Sequence, residues 1–235
     1  MKHILLKTIL LLLLSILSSS IVLSCADSTP EIARVYYTVI YDFIDATLPP
    51  QVRLSVFIEP LSDKRRVKEI SLYHKDSDYT WDIDNPLLVK DGDTTYFGHH
   101  DIVFPPGTEL REGRYEVRFY DLAMRNTTSY FTLEKLPSLK EAKTGSLTAA
   151  GFLNKQFASE CSVEQITIYD VLSNVLYTGR RTIEIDSNEN IIKMYPAAYS
   201  YRLFYRNQDN STIVLLPEVQ LIDQQNTGID EGDHE

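Results

Sequence analysis

The chain has 235 residues, 43% of them hydrophobic, with a formal net charge of −10 and only two cysteines. An acidic balance repels phosphate backbones and anionic headgroups, which excludes nucleic acid as a partner and a polybasic membrane contact. Two cysteines are too few for a disulfide-built scaffold, so the fold must rest on an apolar core.

Residues 1–24 follow the order of a secretory signal peptide. Lys2, His3 and Lys7 make a basic head, and Ile9 to Leu17 is an apolar run broken only by Ser15. The run ends Val22-Leu23-Ser24-Cys25. This segment resembles a bacterial lipobox: Val22 supplies the aliphatic residue three before the cysteine and Ser24 the small one directly before it, while Leu23 is bulkier than the pattern's usual residue. The resemblance implies cleavage before Cys25, lipidation of its thiol by a diacylglycerol, and acylation of the new amino group by a palmitate-type chain. It also implies a lipid-anchored protein of the bacterial cell envelope. Ala26 rather than Asp follows the cysteine, which by the enteric sorting rule directs it to the outer membrane. Several chains at about 0.8 kcal/mol per buried CH₂ hold such an anchor stably. The competing reading is a retained signal-anchor helix over Ile4 to Val22, which is nearly long enough to span a bilayer.

Removing residues 1–24 takes Lys2 and Lys7 with it, leaving 21 Lys and Arg against 33 Asp and Glu. A lipidated Cys25 cannot form a disulfide, which leaves Cys161 alone; it reads as a small apolar residue leading into a strand, the competing reading being a redox or intermolecular thiol. Residues 25–31 form a polar tether containing Pro30.

Residues 32–136 read as a first β-sandwich. The run from Arg34 to Phe43 is rich in β-branched and aromatic residues, and Val52-Arg53-Leu54-Ser55-Val56 alternates with the period of a half-buried strand. Strands follow at Val67 to Tyr73 and Tyr79 to Ile83. Asn85-Pro86 and Asp91-Gly92-Asp93 punctuate a longer connection, with short extended pieces at Thr94 to Phe97 and Asp101 to Phe104. The run Leu110-Arg111-Glu112-Gly113-Arg114-Tyr115-Glu116-Val117 resembles the tyrosine corner of immunoglobulin-like and fibronectin type III-like sandwiches. That resemblance implies a Tyr115 ring in the core with its hydroxyl bonded back to the chain, and Trp81 as the large residue between the sheets.

Residues 137–222 repeat this pattern and read as a second β-sandwich. Val67 to Tyr73 is echoed 96 residues later by Val163 to Tyr169, Tyr79 to Trp81 by Val175 to Tyr177, and Tyr115 to Val117 by Tyr201 to Leu203 at an offset of 86. The expected fold class is all-β: two tandem immunoglobulin-like antiparallel β-sandwiches. Leu139 to Phe157 fits a helix or a strand, Thr212 to Leu216 is the last clear strand with an added edge over Pro217 to Ile222, and residues 223–235 form an acidic solvated tail.

The chemistry-bearing residues are few. His99 and Asp101 share a strand face and His100 does not, and a catalytic zinc would need a third ligand. Asp76, Asp78, Asp82, Asp84, Asp91 and Asp93 cluster in loops without the calcium-loop order of acids and glycine. Catalytic nucleophile, zinc-protease and phosphate-loop motifs are absent, so the expectation is a non-enzyme without cofactor or metal. Tyr96, Phe97, Tyr195 and Tyr199 are the loop-like aromatics that would form a ligand patch if exposed together. The expected function is protein interaction or envelope structure, with a protein partner and a membrane contact through Cys25; the alternative is a carbohydrate-binding component of an envelope uptake system.

Overall fold

In the computed structural model, residues 29–61, 66–104, 110–134 and 161–221 are described, with backbone alone at 161–163. Cys25, the tether's start, Leu139 to Phe157 and the acidic tail lie outside the described residues. The chain is mostly β, and its strands form two sheets that fit an all-β sandwich. They are β1 (Ile32–Asp42), β2 (Gln51–Pro60), β3 (Val67–His74), β4 (Tyr79–Ile83), β5 (Leu87–Asp91), β6 (Thr94–Val103), β7 (Gly113–Asp121), β8 (Asn126–Leu133), β9 (Cys161–Tyr169), β10 (Val175–Arg180), β11 (Ser200–Asn207) and β12 (Thr212–Gln220). A 3-10 turn (Ile183–Ile185) and one short helix, α1 (Asn188–Met194), separate β10 from β11.

Period-2 alternation places the first core. Leu54, Val56 and Ile58 on β2 face Ile70 and Leu72 on β3 and Tyr115, Val117 and Phe119 on β7, all fully buried. Each such side chain is worth about 1.5–3 kcal/mol in area removed from water. The tyrosine corner is present: the Tyr115 hydroxyl donates to the Arg111 carbonyl at 2.9 Å, and the ring stacks on Phe131 at 5.1 Å. Burial pushes the Tyr115 phenol well above its ordinary ionisation range. Trp81 bridges the sheets at their rim, its indole N–H donating to the Val103 carbonyl at 3.0 Å.

The repeat has a topological counterpart. The smaller sheet has the order β4-β3-β7-β8, and the second half of the chain builds β10-β9-β11-β12. Leu72 pairs with Trp81 and Ile168 with Tyr177, so the offset of 96 holds along this hairpin up to a bulge near its turn, where Tyr169 pairs with Val175 although Tyr73 pairs with Thr80. The later strand is registered differently: Leu72 pairs with Val117, whereas Ile168 pairs with Tyr201 rather than Leu203. A slip of two residues preserves the face each side chain points to.

The two halves are joined in one sheet. β12 pairs in parallel with β1, giving an eight-stranded sheet of order β10-β9-β11-β12-β1-β2-β6-β5. The first half is a two-sheet sandwich; among the described residues the second is covered on one face by the helical segment instead. Ile166 and Ile168 pack there with Ile185, Ile191 and Leu221. The physical reason lies in the connection between β10 and β11, which carries α1, capped by Ser187 accepting from the Asn190 N–H at 3.2 Å, where the first half carries the β5–β6 hairpin.

Three local expectations change. β6 is one strand, continuous through Gly98-His99-His100, with an irregularity opposite the Leu54–Val56 segment of β2. The connection after Pro86 contains β5, closed onto β6 by the two-residue turn Gly92-Asp93, with Gly92 at φ 56°. Pro217 lies inside β12, an interior strand, at the register shift between its pairings with Arg202 and Phe204. A residue without an N–H is tolerated there because a bulge interrupts the ladder.

Candidate functional site

β5 is the outer strand of the large sheet, and all five of its residues are exposed. Leu87, Leu88 and Val89 present 41%, 55% and 44% of their surface to solvent. Asp91 and Thr94 close the hairpin, so Asp91, Val89 and Leu87 bond across to Thr94, Tyr96 and Gly98. By the alternation of antiparallel pairs, the main-chain N–H and C=O of Leu88 and Lys90 point away from β6. An edge with apolar side chains on both faces and outward main-chain groups is a template for another strand.

β5 stops at the level of Gly98, and β6 runs on for five residues without it. There a cleft of about 350 Å³ opens between the sheets. One wall is the end of β4 and its exit, Trp81 to Asn85; the other is the uncovered half of β6, where His99 and Asp101 to Val103 face the space. Trp81 is held by its bond to Val103 and by edge-on contacts at 4.5 Å with both Tyr79 and Phe104. The Asp101 N–H donates to His99 Nδ1 at 3.1 Å, so in neutral His99 the proton sits on Nε2. Arg53 approaches Asp101 at 3.9 Å but is held closer by Asp42 at 3.1 Å.

The structure brings together His99, Asp101, Asp82 and Asp84, which are scattered in the sequence. Among the described residues, no group of three or more His, Cys, Asp and Glu could hold a metal ion, and no helix is long and apolar enough to cross a membrane.

The four singled-out aromatics do not form one patch. Phe97 is a core residue, 6% exposed, because it alternates into the space between the sheets. Tyr96 stands edge-on to Tyr36 at 5.3 Å, and partial burial pushes its phenol up. Tyr195 packs on Tyr177 at 5.6 Å over the second core, and Tyr199 is 49% exposed in that half of the chain. What the residue-by-residue reading overlooks is β5. Its trace is Leu87-Leu88-Val89 between Asn85-Pro86 and a Gly-containing turn, an apolar run too short to separate from a connection by periodicity alone.

The outer face of the small sheet carries a different surface. Tyr73, Glu116 and Tyr130 stand in one cross-strand row. The Arg114 guanidinium lies 3.8 Å from the centre of the Tyr130 ring.

Scans against protein-family models, curated proteins and solved structures each found no match.

Proposed function

We propose that this is a non-catalytic interaction protein of the bacterial cell envelope, anchored by lipid on Cys25, which takes up an extended segment of a partner protein along β5. The observation that carries the recognition step is β5 itself: an edge strand with three exposed aliphatic side chains and outward N–H and C=O groups at Leu88 and Lys90. Main-chain bonds supply affinity in strand addition, and alternate side chains supply specificity. The anchoring step is supported by residues 1–25, and the outer membrane is the location that Ala26 favours.

The test is a photo-crosslinking residue at position 90 of the lipidated protein in expressing bacterial cells. A discrete adduct that Leu88→Pro removes is the expected result. Adducts unchanged by Leu88→Pro rule out strand addition. Acyl-label incorporation that persists in Cys25→Ala rules out the anchor.

A second reading, glycan recognition, is favoured by the row of Tyr73, Glu116 and Tyr130 with Arg114 beside it. Aromatic rings flanked by charged hydrogen-bonding groups suit sugar faces and hydroxyls. Retention on an immobilised cell-wall glycan, lost in Tyr130→Ala and kept in Leu88→Pro, would replace the first reading with this one.

A further inference from the structure

We infer that the cleft between β4 and β6 is the pocket for a lysine or arginine side chain of the same extended segment that pairs with β5, a deepening that rests on the strand-addition reading. The starting point is the cavity and its position. It occupies the stretch of the large sheet's edge that β5 vacates, so a strand added to β5 and running past Leu87 passes its mouth. One strand spacing, about 4.8 Å, separates the added strand from β5's own line, a gap that a lysine or arginine side chain spans.

The lining decides the occupant. Trp81, Ile83 and Ile102 supply an apolar wall for an aliphatic stem, as long cationic side chains use. Trp81 is also the aromatic type that attracts a cation best. At the polar side stand Asp84 and Asp101, while Asp82 alternates with Trp81 and Ile83 toward the outer face of the small sheet. Asp84 makes no ion pair among the described residues, and Arg53, which approaches Asp101, is committed chiefly to Asp42. A cation entering the cleft therefore meets Asp84, which no ion pair among the described residues neutralises, and Asp101, which Arg53 only approaches, while an anionic side chain is repelled and a purely apolar one leaves both carboxylates unpaired.

Trp81 is the only tryptophan of the chain, so its emission reports the cleft directly. The probes for the full-length protein are a blocked peptide of alternating valine and threonine closed by one lysine, and the same peptide closed by norleucine. Nα-acetyl-lysine amide tests the cleft without a strand, and amide hydrogen exchange at Leu88 and Lys90 reads strand addition without the cleft. The lysine peptide should bind about tenfold more tightly than the norleucine peptide, the size of one partly solvated charge contact. The double variant Asp84→Asn with Asp101→Asn should remove that preference while leaving exchange protection on β5 intact. Leu88→Pro should weaken both peptides and leave the weak response to the acetylated amino acid unchanged. Equal binding of the two peptides, or a lysine preference that survives the double variant, overturns the pocket alone. A saturable Trp81 response to the lysine peptide without protection at β5 overturns strand addition alone. Spermidine matching the lysine peptide in affinity overturns the assignment to a protein segment in favour of a free amine.

Discussion

Asp42 and Arg202, 160 positions apart, form an ion pair across β12. The same carboxylate accepts from Arg53 at 3.1 Å on the other side, and Arg202 also donates to the Leu216 carbonyl at 2.6 Å. The group therefore locks the two halves of the chain together at the one place where the large sheet is parallel, β1 beside β12. Asp42→Ala should cost about 2 kcal/mol, less than for a fully buried pair because these side chains keep partial water contact. Urea unfolding measures the loss. Amide exchange should accelerate first in β9, β11 and β12.

Tyr115→Phe removes one hydroxyl and no ring. The Arg111 carbonyl at the corner loses its partner, at an expected cost of about 1–2 kcal/mol. Near-ultraviolet circular dichroism of the folded protein should change little, because the stack with Phe131 remains.

Gly98 has no room for a side chain. A Cβ there would lie 2.0 Å from the Val56 carbonyl oxygen and 2.6 Å from the Phe57 Cα, both main-chain atoms. Gly98→Ala should destabilise by about 3 kcal/mol or more, since overpacking against backbone forces strands apart. Melting temperature reads this. Loss of the β2–β6 pairing around Gly98 should accompany it.

Leu88→Pro and Val89→Pro separate the two sides of β5. The Leu88 N–H faces outward, so proline there should cost about 1 kcal/mol or less, while at Val89 it deletes a bond to β6 and should cost about 3 kcal/mol. Equal destabilisation by both variants would refute the assigned direction of the Leu88 N–H.

Asp121 gives a pH dependence with a definite sign. Burial pushes its carboxyl up, but hydrogen bonds from the Arg125 side chain and from the Arg125 and Ala123 N–H groups outweigh it and hold the group below the usual value of 3.8. A depressed carboxyl contributes stability above its unfolded value and loses it as pH falls through the folded one. Asp121→Asn should therefore be less stable than the wild type at pH 6, with the two stability curves converging as pH falls through the lowered folded value.

Sequence pattern reaches far in strands where local period and burial agree. β2 and β3 are legible because Leu54, Val56, Ile70 and Leu72 alternate with polar residues and those alternations become the two faces of the sandwich. The corner at Tyr115 is legible because its ring, glycine and upstream carbonyl lie within a few residues of each other. β5 is legible only in part, since five residues exposed on both faces show no alternation to read.

The chain by itself determined an all-β architecture, the tyrosine corner and the repeated hairpin, because each depends on neighbours in sequence and on burial period. Only the tertiary structure decided that the second set of strands extends the first sheet through β12 and β1. Only it decided that β5 ends one half-strand short of β6, and that Trp81, Asp82, Asp84, His99 and Asp101 surround the gap. Those outcomes depend on strand order and on where a neighbouring strand stops, which are long-range choices that no local period encodes.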